Sequence, residues 1–415
     1  MTGPNLVKMA WRNLWRSKRR TLLTLSGIAF GVFLSVLFTA MQDRSFADMI
    51  DTAAKLGGGH VVVQHAEYID TPTLTRSVQD TEAVIAAAEA QPDVDRAVQR
   101  ITGQAMVQTA TNSSGVFFVA FDPTDEDAQT LAFLEGVQEG QLFPGPDSRG
   151  ILIGGRLGEL MNLELGDKLV YTLMDRNGEI VAGMERVSGI VSTGAPSVDA
   201  GLVLLPIDRV RGVIGYAPDE ATQVAVFLND SRKADEVAAA IQPKIGQADA
   251  LPWDVVQPEL NGFIGMKVGG ARFMELVIMI LVAAGIFNTL FVSVMERMRE
   301  FGIMRAIGYS PGQITALVMW ESLLLAMVGL AAGGLVTIGP YSYLAANGID
   351  LSEVYAQAGT VEVAGVGFDM TLHIGIFPEN VAIIAGFVVV ATLAAGLYPA
   401  WKAGRVSPVE TIKLV

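Results

Sequence analysis

Residues 296–314 read ERMREFGIMRAIGYSPGQI, a charged, turn-bearing segment set between two apolar runs. The run before it, LVIMILVAAGIFNTLFVSVM (276–295), has 20 residues and no charge, and the run after it, SLLLAMVGLAAGGLVTIGPYSYLAANGI (322–349), has 28 and no charge. A connector of this kind between two such runs reads as a piece of chain turning back on one side of a membrane. About 20 apolar residues span a bilayer core as a helix.

The 415-residue chain is 51% hydrophobic and 17% charged, with a mean hydropathy of +0.42. That is too apolar for an ordinary soluble protein. Four stretches are long enough to span: TLLTLSGIAFGVFLSVLFTAM (21–41), 276–295, a third near 314–341, and NVAIIAGFVVVATLAAGLYPAW (380–401). The first lacks a small-residue cleavage site and exceeds a signal-peptide core in length, so it reads as retained.

Charge sets the topology. Residues 1–20 carry Lys8, Arg12, Arg16, Lys18, Arg19 and Arg20 and no acid, the connector carries Arg297, Arg299 and Arg305, and the C-terminal tail carries Lys402, Arg405 and Lys413. The stretch 342–379 carries no Lys or Arg. The positive-inside rule places the N-terminus, the connector and the tail in the cytoplasm. The expected layout is a cytoplasmic amphipathic N-terminal helix (1–20), a first span (21–42), a periplasmic α+β domain (43–272), and a second span (273–295). A cytoplasmic connector helix (296–312), a third span (313–341), a second periplasmic loop (342–379), a fourth span (380–401) and a cytoplasmic tail (402–415) follow. The external domain holds 17 basic against 33 acidic residues, an acidic surface that argues against nucleic acid as a ligand.

Lys8, Arg12, Arg16 and Arg20 recur every fourth residue and predict one basic stripe along a helix over 5–20. Leu6, Val7, Ala10 and Leu14 fall opposite, with Trp11 and Trp15 at the border, which suits a helix lying on an anionic inner leaflet. A topogenic charge cluster is the alternative. The external domain alternates helical and strand patterns and predicts two lobes, the stretch 140–215 being the more β-rich. The flanks 60–135 and 216–258 are expected to pair in one lobe. Gly57-Gly58-Gly59 reads as a flexible lead into a strand, and LSEVYAQAG (351–359) as a short helix.

Catalytic signatures are missing from the sequence. It has no Gly-x-x-x-x-Gly-Lys-Ser/Thr phosphate loop and no cysteine. His60 and His65 fall on opposite faces of a strand-like stretch, which does not suit a metal pair, and His373 is isolated. Two carboxylates stand in or beside spans: Glu275 at the outer start of the second, and Glu321 about two turns into the third. Such groups face a partner or a cavity, and Glu321 reads as a hydrogen-bonded packing residue near the interface. Gly27-x-x-x-Gly31 and Gly329-x-x-x-Gly333 permit close helix approach.

The segment 296–308 resembles the coupling segment of the MacB–LolC/LolE–FtsX family of ABC transporter permeases. The segments 10–32 (AWRNLWRSKRRTLLTLSGIAFGV), WESLLLAMVGLAAGGL around Glu321, and 398–415 (YPAWKAGRVSPVETIKLV) resemble the same family, in the same order. The resemblance implies four spans and an exterior of a porter-like and a β-rich, sabre-like lobe. Unlike the exporter branch, the chain carries no ATPase of its own, and the longer 342–379 loop looks more like the lipoprotein-releasing branch. It further implies a non-catalytic permease subunit in a bacterial inner membrane, with no cofactor on this chain and with ATP and Mg on a partner pair of cytoplasmic ABC ATPases. The other implied partners are a second permease copy or paralogue, membrane lipid, and a lipoprotein substrate or periplasmic acceptor. The ATPase-coupling residues would be Glu296, Arg297, Arg299, Glu300, Phe301, Gly302, Ile303, Met304, Arg305, Ile307 and Gly308. Phe301, Ile303, Met304 and Ile307 are expected to form an apolar docking face, and the arginines and Glu300 its polar contacts.

Overall fold

The structure, a computed structural model, describes residues 3–350, 362–363, 366–367 and 371–407. The helix expected at 351–359 and the end of the 398–415 motif lie outside them. In chain order the elements begin with α1 (Gly3–Leu14), α2 (Lys18–Leu56), β1 (Val61–His65), α3 (Thr81–Glu89), β2 (Val94–Gln108) and β3 (Ser113–Phe121). There follow β4 (Val137–Gly140), β5 (Ile151–Gly154), α4 (Gly155–Met161), β6 (Lys168–Met174), β7 (Ile180–Val191), α5 (Pro196–Asp199), β8 (Leu202–Pro206) and α6 (Ile207–Ile214). Then come β9 (Gln223–Leu228), α7 (Ala234–Ile241), β10 (Ala248–Pro252), α8 (Trp253–Val256), α9 (Pro258–Glu296), α10 (Met298–Ala306) and α11 (Pro311–Asn347). The last are the two-residue strands β11 (Ile349–Asp350), β12 (Glu362–Val363), β13 (Val366–Gly367) and β14 (Thr371–Leu372), and α12 (Pro378–Gly404).

Four helices, α2, α9, α11 and α12, are long and apolar enough to cross a membrane. They belong to a helical unit that takes α2 up to Ser45 and α9 from Gly265; Phe46–Ile264 form a second, external unit. Each spanning helix outruns its apolar stretch. Helix propensity continues through polar residues such as 42–55, where nothing breaks the backbone ladder.

The N-terminal segment departs from the single helix expected over 5–20. α1 stops at Leu14, a turn spans Trp15–Ser17, and α2 starts at Lys18. The carbonyl of Ser17 accepts from the amides of Arg20 and Thr21, and Thr21 Oγ1 bonds the Ser17 carbonyl and, by a short contact, that of Leu14. These bonds satisfy the orphan groups of two helix ends within one turn. The break lets the apolar side of α1 pack on protein: Leu6 and Ala10 are buried with Val294, Ile314, Leu317 and Ala403. Lys8, Arg12 and Trp11 stay exposed.

Of the small-residue patterns, three glycines sit in close helix contacts. A Cβ at Gly329 would lie 2.6 Å from Ile28 Cγ2, one at Gly333 2.7 Å from Val32 Cβ, and one at Gly31 2.6 Å from Val282 Cγ2; at Gly27 nothing lies within 4 Å. Gly329→Leu is therefore expected to destabilise the helical unit by about 1–3 kcal/mol, as over-packing does, and Gly27→Leu to be near neutral. Thermal unfolding of the purified full-length protein in detergent checks the contrast; equal effects would refute it.

In the external unit, β1, β9 and β10 and the first half of β2 form one end of a ten-stranded sheet, in the order β10-β1-β9-β2-β3-β8-β5-β7-β4, with β6 beside β2 and β7. The two flanks do pair, since β1 lies antiparallel between β9 and β10. The lobes are not separate sheets, however. β2 is a single strand whose residues Val94–Arg100 pair with β9 while Ile101–Gln108 pair with β3. Its side chains feed two cores, one around Ile101, Val107, Phe118 and Tyr171, the other around Ala97, Val63, Val226 and Val237.

The glycine run before β1 is a close fit rather than a flexible lead. Gly59 has φ +82, and a Cβ there would lie 2.6 Å from the Val226 carbonyl oxygen. Only glycine meets both conditions. His60 follows it into the interior, its Nδ1 accepting from the Leu228 amide at 3.0 Å and its Nε2 bonding Asp51 at 2.9 Å. His65 accepts from the Glu67 amide at 3.2 Å. Among the described residues no three His, Asp or Glu side chains cluster as metal ligands.

Candidate functional site

The connector is held at both ends. α9 ends at Glu296, Arg297 occupies the N-cap of α10, and Gly308 turns the chain with φ +102. Ser310 then opens α11 with a reciprocal capping box: its Oγ accepts from the Gln313 amide at 3.2 Å and its own amide donates to Gln313 Oε1 at 2.9 Å, with Pro311 in the first turn. Glycine beyond one helix and a Ser-Pro-x-Gln start on the next leave little slack between them.

Nine residues of α10 present two faces. Phe301 and Gly302 point inward and are buried, Phe301 against Leu6, Ala10, Val294 and Leu317. Met304 is half-buried. Ile303 and Ile307 are 48% and 70% exposed, and Arg299 is exposed one turn before Ile303. The apolar face expected from the sequence is thus split, because the i, i+4 spacing of 299, 303 and 307 carries it to the side opposite Phe301. Arg305 is not an outward contact either. Half-buried, it donates from Nη1 to the Tyr309 carbonyl at 3.3 Å, and its buried Nε has no hydrogen-bond partner among the described residues.

Around the buried side of the connector lies a charge network. Glu321, buried on α11, accepts from Asn13 Nδ2 at 2.7 Å and from Arg297 Nη1 at 3.1 and 3.2 Å. Arg297 Nε donates to Glu300 at 3.1 Å, and its guanidinium lies 5.2 Å above the Phe301 ring. Burial works against its charge, but the Glu321 and Glu300 carboxylates outweigh that and hold the Arg297 pKa above its ordinary value. Arg16 pairs with Glu300 at 2.6 Å, and Arg20 pairs with Glu296. The network thus balances Arg16, Arg20 and Arg297 against Glu296, Glu300 and Glu321. The reading of Glu321 as a hydrogen-bonded residue matches this geometry. Sequence reasoning missed Asn13, and it took Arg16 and Arg20 for lipid-facing charges. A signal was available in Glu296, Glu300 and Glu321, three acids at an end of the helices otherwise rich in arginine.

At the other end of the bundle Glu275 is buried, bonded through Oε2 to Arg272 at 3.2 Å. Arg272 also donates to Asn380 Oδ1 at 2.9 Å, and Asn380 Nδ2 donates to Asp43 at 2.8 Å. Asp43 further accepts from the Phe377 amide at 3.1 Å. This ties α2, α9 and α12 together; the sequence marked Glu275 as a carboxylate with a partner, but not Arg272, Asn380 or Asp43.

Residues 21–244 match the MacB-like periplasmic core domain, and residues 272–408 match the FtsX-like permease C-terminal domain. The lipoprotein-releasing system transmembrane protein LolC of Xylella fastidiosa (strain 9a5c) is 23% identical over 444 residues, covering 100% of both chains. The pyoverdine export ATP-binding/permease protein PvdT of Pseudomonas entomophila (strain L48) is 26% identical over 421 residues, covering 98% of this chain, which spans 59% of that protein. The crystal structure of the periplasmic region of MacB from Actinobacillus actinomycetemcomitans covers 52% of this chain at 12% identity, with a TM-score of 0.35. With its four membrane-crossing helices and both domains of that family in order, the chain belongs to the FtsX-like and MacB-like permeases of ABC transporters.

Proposed function

We propose that the chain is the membrane subunit of a complex in a bacterial inner membrane, driven by a separate pair of ABC ATPases that bind ATP and Mg. Closure of the ATPase pair displaces α10, the helical unit shifts between two arrangements, and the external domain moves with it. Two connectors for two ATPases call for a second permease copy or a paralogue. The load is a lipoprotein or another amphiphile drawn from the membrane, passed to an acceptor outside. The full-length likeness to a relative named as part of a lipoprotein-releasing system supports that choice. Export of a small molecule is the second reading, supported by the likeness to PvdT.

The observation that carries the proposal is the outward stripe of Arg299, Ile303 and Ile307 on a helix whose other side is pinned. Exposed isoleucines beside an arginine on a rigid helix fit a groove in a partner. Burying each contributes about 1.5–3 kcal/mol, so Ile303→Asp with Ile307→Asp is expected to lower ATPase occupancy by roughly a hundredfold or more. Both side chains are exposed, so membrane levels of the variant should stay normal. Co-purification of an ABC ATPase with the tagged full-length chain reads the result. Undiminished recovery with the double variant would sink the assignment.

A further inference from the structure

α10 is joined along the chain to α9 at Arg297 and to α11 through Ile307–Tyr309. Any displacement of the connector therefore reaches those two helices through covalent bonds. α2 has no such link: Arg20 and Glu296 stand 276 positions apart in sequence. Motion must cross to α2 through side chains. Part of the contact is apolar, where Ile28 and Val32 meet Gly329 and Gly333 and Val282 meets Gly31. Such packing is non-directional and lets helices slide along one another. It does not by itself make α2 follow an axial shift of α10.

The charge pairs are directional. Arg20, in the first turn of α2, holds Glu296 at the end of α9, and Arg16, in the turn before α2, holds Glu300 on α10. Asn13, on α1, reaches Glu321, which Arg297 also holds. A cavity of about 60 Å³ lies among them, lined in part by Arg16, Arg20, Arg297 and Glu321 and in part by Leu14, Leu290 and Leu325. Leu25 of α2 also packs there with Leu290 and Leu325, but that contact is apolar and non-directional like the others. The basic residues of the N-terminal segment thus divide by pairing rather than by exposure: Arg16, itself exposed, and Arg20 hold Glu300 and Glu296, while Lys8, Arg12, Lys18 and Arg19 are exposed outside this network.

We propose that Arg16 and Arg20 are positioning residues that clasp α2 to the connector, so that α2 moves with α10 instead of sliding past it. This rests on α10 being the driven element, but the clasp itself is testable without any ATPase. The sequence has no cysteine, so two can be introduced cleanly, at Phe30 on α2 and Ala306 on α10, both exposed. Full-length protein in nanodiscs is spin-labelled at both, and the distance distribution is measured. The background chain should give one narrow distribution. Arg20→Glu and Glu296→Arg should each widen it by about twofold, and the two together should restore it, the signature of a direct pair. Arg16→Gln should widen it less; the reversed pair at 16 and 300 is avoided because an arginine at 300 would face Arg297. An unchanged width in both single reversals overturns the clasp, and so does a double variant as wide as the singles. A chain that shows the widening and its rescue yet captures no ATPase keeps the clasp and loses the docking assignment.

Discussion

Arg100→Leu is expected to destabilise the external domain by about 3–5 kcal/mol, because it strands a buried carboxylate. The Arg100 and Glu126 side chains are 0% and 1% exposed. Arg100 Nε donates to Glu126 Oε1 at 2.8 Å, and Nη2 donates to Oε2 at 2.5 Å and to the Thr130 carbonyl at 2.8 Å. Nη1 reaches the Gly57 carbonyl just past the C-terminus of α2, where a cation also complements the helix dipole. The guanidinium lies 5.6 Å above the Phe227 ring. For a unit of this size the loss should lower the midpoint of thermal unfolding by roughly 10 °C. Arg100→Leu with Glu126→Leu should recover much of it, since two apolar side chains leave no orphan charge. A single-variant shift of only a degree or two, or a double variant worse than the single, would show that the pair is not the buried unit described.

Glu321→Leu should cost about 2–4 kcal/mol, by leaving Arg297 and the Asn13 amide without their shared acceptor in a largely buried site. Arg297 keeps Glu300, which places the effect below that at Arg100. Glu321→Gln retains an oxygen for Asn13 but not the charge opposite Arg297, so it should fall between wild type and Glu321→Leu. Detergent stability of the purified chain measures the order, and Gln as harmful as Leu would mean that the lost charge alone decides the site and the Asn13 bond contributes nothing.

The four spans and the connector were legible because each rests on a run of one residue class bounded by charge or by Gly and Pro. The turn at Gly308 and the start at Ser310 could be read from residue type alone. The split of α10 into an inward Phe301 and an outward Ile303 and Ile307 could not. A short helix with apolar residues on more than one side does not declare which side meets its own bundle; the docking of α1 decides it. The break at Trp15–Ser17 was hidden for a related reason. Basic residues continue every fourth position across it, and Ser17 shows its part only through bonds to the following turn. Arg100 and Asn13 were invisible because their partners are distant in sequence. β10, spelled ADALP (248–252), has too little β-branched or aromatic content to be read as a strand. The union of the lobes through β2 was likewise out of reach, because a strand serving two cores carries only one alternating pattern.

The placement of β1 bears on how the domain is made. It is the first strand of the chain, yet its neighbours are β9 and β10, and His60 beside it bonds Leu228, 168 positions later. While the chain is being threaded outward, Val61, Val62 and Val63 must wait, both edges open, until nearly the whole domain has followed. Strands from β3 to β8 can meet meanwhile. Late closure of so distant a pairing is slow, and an open valine-rich edge invites wrong partners. Biogenesis, more than folded-state stability, is where substitutions in β1, β9 and β10 should do their damage, with a lag in acquiring protease resistance after export as its mark.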